Sequence, residues 1–376
     1  RAPLFAPRNA AEVLAALSSV LSLEAVACKD WLTNKVDRSV SGKVVQQQCV
    51  GPLQLPLANL GVVALDYSSE VGVATAIGHA PAAALLDETA GSLLSLAEAL
   101  TNIIWAPLKN GLETVSLSAN WMWPCKRPGE DVRLYRAVQA LSESAIALGI
   151  PVPTGKDSLS MTTQYADGLE VRSPGTVIIS AVAEVSDIYH CVTPDLKPTF
   201  DSVLIYVNLS SQSDNFLGGS ALAQTLSTLG DRPPTVEDLP RFKSGLNLIQ
   251  TLIAEGKILA GHDVSGGGVI TSLCEMAFSG DLGINLDLQG AAPAELGAWL
   301  FCEKPGVILQ VTSEQSLDIQ HRFGELKIET FELGQPLPEK RVRLQAGEFS
   351  FDEDLSTLRR KWFGTSTQLD ALQTAA

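Results

Sequence analysis

Histidine, cysteine pairs, basic clusters and long apolar runs are all scarce in these 376 residues, and each scarcity closes off a class of function. The four histidines, His79, His190, His262 and His321, show no metal-ligand spacing. The six cysteines form no CxxC pair, which excludes a zinc knuckle and a thioredoxin-type motif. They read as small buried side chains in a reducing compartment. Lys and Arg number 27 against 42 Asp and Glu, for a net charge of −15. A nucleic-acid backbone needs clustered cations, so no nucleic-acid partner is expected. A nucleotide remains open, because Mg2+ can bridge carboxylates to phosphate oxygens. No apolar run reaches membrane-spanning length and no signal-peptide pattern is seen, so the expectation is a cytoplasmic protein without a membrane partner. A P-loop, a dinucleotide fingerprint, a nucleophile elbow and a short-period repeat are also missing. The chain starts at Arg1 rather than Met, and a piece of a longer polypeptide is expected.

What is present is an ordinary soluble composition, 45% apolar and 18% charged, in a chain long enough for two domains. Apolar spacing predicts helices over Ala10–Val26, Ser92–Ile104, Asp131–Leu148, Ser220–Leu229, Leu246–Ala254 and Asp354–Leu372. Short runs rich in Val, Ile and Ala predict strands over Gly61–Leu65, Val71–Ile77, Thr114–Leu117, Val177–Val185, Val203–Val207 and Val307–Val311. Leu259–Ala277 reads as strand, loop and helix. Thr193–Pro194–Asp195–Leu196–Lys197–Pro198 has two prolines and suits a linker. The elements point to two α+β domains of unequal size, 1–193 and 194–350, followed by a helix over 351–376.

Several short segments combine polar chemistry with tight spacing. Glu98 and Asn102 stand one helical turn apart in an apolar stretch, where both oxygens can reach one hard cation and where a lone carboxylate needs a partner. Gly261-His-Asp-Val-Ser-Gly-Gly-Gly268 joins a strand to a helix. Its glycines allow backbone N–H groups to approach a phosphate, Asp263 can hold Mg2+, and Ser265 can donate to a nucleotide. A glycine turn with no ligand is the alternative. Lys156 and Ser158, in Gly155-Lys-Asp-Ser-Leu-Ser-Met161, suit an anionic ligand or a plain surface turn. Gly218-Gly219-Ser220 precedes a helix as an N-cap or an anion seat.

The order of these segments is more specific than any one of them. NKVDRSVSG (from Asn34), QQQCVGPLQLPLAN (ending at Asn59), AEALTN, GKDSLSM, TPDL, LGGSALAQ, GHDVSGGG and EMAFSG follow one another as in the second synthetase half of the large phosphoribosylformylglycinamidine synthases. The resemblance covers essentially the whole chain. Even Trp362-Phe-Gly-Thr-Ser366 is similar to the helix that precedes that family's glutaminase domain. The resemblance implies an aminoimidazole-ribonucleotide-synthase-like N-domain, with helices on a barrel-forming sheet, followed by an α/β C-domain. It implies a part in the ATP- and glutamine-dependent conversion of formylglycinamide ribonucleotide to formylglycinamidine ribonucleotide, a carbon–nitrogen ligase reaction of purine biosynthesis. The partners implied are a first half sharing the ribonucleotide site and a glutaminase domain, with self-association expected of an isolated half. An auxiliary ADP or ATP with Mg2+ is implied too. Glu98, Asn102 and Asp263 then resemble metal ligands, and Ser265, Gly267 and Gly268 resemble nucleotide contacts. Asn59 stands where the family has a metal-binding Asp, and Gly266 where it usually has a second Asp. Ser158 and Lys156 resemble the segment facing the true active site. By itself the chain is not expected to turn over. The other readings are a nucleotide-stabilised structural half and a free-standing aminoimidazole ribonucleotide synthase or selenophosphate synthetase. The last two normally carry a glycine-rich, Asp-containing loop near the N-terminus that residues 1–50 lack.

Overall fold

The computed structural model describes residues 2–33, 35–288, 295–347 and 349–375; Asn34, in the first quoted motif, lies outside them. Two mixed sheets carry the fold, flanked by helices. The first has six strands: β1 (Val44–Gln46), β2 (Gly61–Ala64), β3 (Gly72–His79), β4 (Ser116–Met122), β5 (Thr154–Ser158) and β8 (Thr176–Val185). Their spatial order is β1-β2-β3-β8-β4-β5, an open sheet rather than a closed barrel. A small hairpin, β6 (Thr162–Gln164) with β7 (Glu170–Arg172), stands apart.

One face of the six-stranded sheet is covered by α4 (Glu88–Ile103) and α5 (Glu130–Leu148), with α2 (Asp30–Thr33) and α3 (Pro81–Leu86) outside this layer. Ala74, Ala76 and Gly78 of β3 point under α4, and the approach is so close that a Cβ on Gly78 would lie 2.2 Å from the Ser95 carbonyl oxygen. Asp87 starts α4 by accepting from the N–H groups of Thr89 and Ala90. The opposite face carries Val63, Ile77 and Val182, all exposed, beside the polar Thr75, Ser118 and Ser180. Apolar side chains on an uncovered sheet face mark a surface built to be covered.

The second sheet has seven strands, ordered β10 (Ala260–Asp263), β12 (Gly306–Thr312), β9 (Ser202–Asn208), β13 (Glu329–Leu337), β11 (Gly283–Asp287), β14 (Arg341–Ala346) and β15 (Phe349–Asp354). Its ladder is antiparallel except where β11 runs parallel to β14. Both faces are covered, which is why β9 reads as a continuous apolar run. Ile205 and Val207 face α7 (Leu239–Ala254) and α10 (Ser313–Glu325) in the core shared with the first sheet. Leu204 and Tyr206 face a second core formed with α8 (Gly268–Gly280), α9 (Leu296–Phe301), α1 (Ala10–Leu21) and α11 (Leu355–Ala375), beside α6 (Ala221–Thr225). No helix among the described residues is long and apolar enough to cross a membrane.

Several expectations change length here, among them the helix expected over Leu246–Ala254, which starts at Leu239 behind the Asp238 N-cap. The first helix stops at Leu21 rather than Val26, where the chain turns with the Ala27 N–H bonded to the Leu23 carbonyl. The helix expected over Ser220–Leu229 is only Ala221–Thr225, because Ser227 adopts a left-handed backbone and the Thr228 N–H returns to the Ala223 carbonyl. The strand expected at Thr114–Leu117 is Ser116–Met122, preceded by a helical turn over Gly111–Thr114.

Candidate functional site

Where the two layers meet, a cleft of about 310 Å³ opens between α4, the turn before α6 and the loop before α8. Three carboxylates line it: Glu98 from α4, Glu275 from α8 and Glu303 from the turn after α9. No Lys or Arg is among its lining residues. Glu98 lies deep yet keeps partial contact with the cleft, and its Oε2 accepts from the His79 N–H at 2.7 Å. Burial pushes its carboxyl up to about 8, and the charges of Asp263 and Glu303 add to the rise.

Asp263 ends β10, buried, with its Oδ1 3.1 Å from Nδ1 of the equally buried His262. The other ring nitrogen of His262 is 3.3 Å from the Glu275 carboxylate. Burial works against charging this ring, but Asp263 and Glu275 outweigh it and raise His262 to about 9. Asn59, in the loop before β2, donates through Nδ2 to the Gly261 carbonyl at 3.1 Å, while its buried Oδ1 has no partner. Asn102 donates to the Ile77 carbonyl at 3.3 Å, one helical turn beyond Glu98. Among the described residues, no group of three or more His, Cys, Asp or Glu is arranged to hold a metal ion. Asp263 is nonetheless near enough for its charge to act on Glu98.

Ser265 lines the cleft. The Gly267 N–H, by contrast, donates to Glu303 Oε1 at 2.7 Å, and the Gly268 N–H donates to the Ser265 carbonyl at 3.0 Å. Ser220 is an N-cap, its Oγ accepting from the Ala223 N–H at 3.2 Å. Glu303 and Glu275 escaped the reading of the sequence. Glu303 had one usable signal, a charged pair with Lys304 set between the apolar runs Trp299–Cys302 and Val307–Val311.

Lys156 and Ser158 are not in this cleft. They lie on β5, with Lys156 Nζ 2.9 Å from Ser158 Oγ on one face of the strand. β8 and β4 separate β5 from β3, which places those two strands about 14 Å apart across the sheet. Both residues share the uncovered face with Asn120, whose buried Oδ1 has no partner.

Residues 28–184 match the FGAR-AT PurM_N-like domain, and residues 201–347 match the C-terminal domain of AIR synthase related proteins. The chain is 44% identical over 364 residues to phosphoribosylformylglycinamidine synthase of Homo sapiens, covering 95% of this chain and 27% of that protein. It is 42% identical over 366 residues to a probable phosphoribosylformylglycinamidine synthase, chloroplastic/mitochondrial, of Arabidopsis thaliana, covering 96% and 26%. The chain belongs to the phosphoribosylformylglycinamidine synthase family. It spans about a quarter of the length of the curated relatives it matches. Among solved structures, T. maritima PurL complexed with FGAR superposes with a TM-score of 0.69 at 14% identity, over 92% of this chain and 53% of that one. T. maritima PurL complexed with ATP gives 0.65 at 13%, over 92% and 52%. At such identity the likeness within the family is one of fold.

Proposed function

We propose that this chain supplies one half of the synthetase core of a phosphoribosylformylglycinamidine synthase, with an N-domain over 1–193, a C-domain over 194–350 and a connecting helix over 351–376. The whole enzyme would convert formylglycinamide ribonucleotide to formylglycinamidine ribonucleotide in the cytoplasm, using ATP and glutamine, with ammonia from a glutaminase domain. In this reading the acidic cleft is the auxiliary site, holding ADP or ATP through Mg2+. One observation carries it: three carboxylates line the cleft and no Lys or Arg does. A polyphosphate would find no Lys or Arg there to neutralise it unless a divalent cation came with it.

The residues present suit such a cation in kind. Glu98, Asp263, Asn59 and Asn102 offer hard oxygens, of which Glu98 alone lines the cleft; Asn59, whose Oδ1 is buried without a partner, lines another cavity beside β2 and β3. The cation would neutralise the facing carboxylates and phosphate oxygens together. Ser265 would donate to the nucleotide from the cleft wall. Asn59→Asp is a direct test. Without metal it loses the bond to the Gly261 carbonyl and places a carboxylate against it, which should cost about 1–3 kcal/mol. Mg2+ should restore the loss. Adding Gly266→Asp should tighten Mg-ADP further, since a Cβ there meets only Val26 Cγ2 at 3.5 Å. Thermal unfolding in EDTA and in Mg2+ reads both effects, and equal loss in the two conditions would remove Asn59 from the metal site.

The substrate side of the proposal rests on Lys156 and Ser158, at the end of the uncovered sheet face that the other half would cover. In the full-length enzyme, Ser158→Ala should weaken ribonucleotide use roughly ten- to a hundred-fold, the worth of one hydrogen bond to a charged group. Glu98→Ala should instead lower melting temperature. Unchanged kinetics for Ser158→Ala, with kinetics lost and melting unaltered for Glu98→Ala, would reverse the two assignments. The same face leads us to expect self-association of the isolated chain. A strict monomer in sedimentation at high concentration would count against the paired-half reading.

A further inference from the structure

The glycine-rich segments beside the cleft are packed against the protein's own backbone. A Cβ on Gly268 would lie 2.6 Å from the Phe301 carbonyl carbon, and one on Gly267 would lie 2.3 Å from Thr271 Oγ1. A Cβ on Gly219 would lie 2.7 Å from the Ala83 Cα. Gly267, Gly268 and Gly219 also have positive φ, at 90°, 73° and 73°. These glycines thus serve close chain-to-chain contact and a left-handed backbone. Gly268 fitting against the end of α9 brings Glu303 to the Gly267 N–H.

There Glu303 Oε1 accepts two bonds from two separate segments, from the Gly267 N–H and from the Ala221 N–H, each at 2.7 Å. Burial pushes the Glu303 carboxyl up to about 7, and these two backbone bonds favour its charged form against that burial. They also take up the backbone donors that a free anion entering this side of the cleft would need.

We propose that Glu303 is a built-in anion that makes the cleft selective for metal-complexed nucleotide over free phosphate. The inference rests on reading the cleft as a nucleotide site. Glu303 joins the turn before α6 to the turn before α8, and a ligand's phosphate chain is left to the cation at Glu98 and Asp263. Removing the carboxylate frees two N–H groups and turns an acidic wall into an anion seat.

The test uses inorganic phosphate without Mg2+ or nucleotide, at constant ionic strength, read by thermal unfolding of the wild-type chain, Glu303→Ala and Glu303→Gln. Phosphate should leave the wild type unmoved and bind Glu303→Gln more weakly than Glu303→Ala, since the Gln amide oxygen can still accept both bonds although the charge is gone. Glu303→Ala should bind phosphate at least about tenfold tighter than the wild type, the worth of one charge-assisted hydrogen bond. No gain in Glu303→Ala overturns the proposal. If that variant does not fold, the amide resonances of Gly267 and Ala221 in the wild type decide: they stay in place when Mg-ADP is added, and their displacement overturns the proposal. Failure of the wild type to bind Mg-ADP at all would instead remove the nucleotide reading, while the phosphate result still decides what Glu303 does.

Discussion

Replacing Gln250 by Leu is expected to destabilise the chain by about 3 kcal/mol or more, with the side-chain volume nearly kept. Gln250 lies on α7, buried, and its amide does three things at once. Oε1 accepts from the Leu108 N–H at 2.8 Å, and Nε2 donates to the Ala106 carbonyl at 3.1 Å and to the Ile104 carbonyl. One side chain thereby satisfies the strand-less segment that leaves α4 and fixes it to the second sheet's helix layer. Leu would leave a donor and two acceptors buried without partners, each costing about 1–3 kcal/mol. Urea unfolding should show a lower midpoint at unchanged slope. Removing the exposed Lys35–Asp370 ion pair should change stability by less than about 1 kcal/mol. A Gln250→Leu variant as stable as that one would show that water replaces the amide and that the two layers are not joined there.

Much of the first sheet and its helices was legible. β3, β8, α4 and α5 follow from apolar period and length, because each has one face or stripe in the core. β5 was not read as a strand. Thr154-Gly-Lys-Asp-Ser158 has no strand propensity of its own, and parallel pairing with β4 imposes the extended form. β14 and β15 also escaped notice. They alternate apolar and polar residues, with Arg341 and Arg343 turned outward to Asp352, and a search for continuous apolar runs passes over that pattern.

The site was legible in part for a similar reason. Glu98 stood out as a carboxylate in an apolar stretch and Asp263 as one in a glycine-rich loop, and the charge of Asp263 contributes to the raised pKa of Glu98. The glycine-rich loop stayed open to two readings, since its spacing is equally compatible with a bound phosphate and with another stretch of chain. Which of the two meets Gly267 depends on α9 and Glu303, 36 residues further on. No local pattern carries that information. The departures at Asn59 and Gly266 were visible, but only the coordinates show that Asn59 Oδ1 lacks a partner and that Gly266 has room for a side chain.

The largest effect expected of any ligand experiment is the loss of ADP binding when Mg2+ is removed. Glu98, Glu275 and Glu303 face the cleft with no Lys or Arg among its lining residues, so chelated conditions leave a diphosphate without a cationic partner. Asp263→Asn in the presence of Mg2+ should move affinity in the same direction by a smaller step, because one carboxylate in the set is lost. Calorimetric titration of ADP into the isolated chain, in Mg2+ and then in EDTA, measures this directly. The account predicts binding in Mg2+ that weakens at least about a hundred-fold in EDTA, a difference of about 2.7 kcal/mol. Equal affinity in the two buffers, or no binding in either, would contradict it.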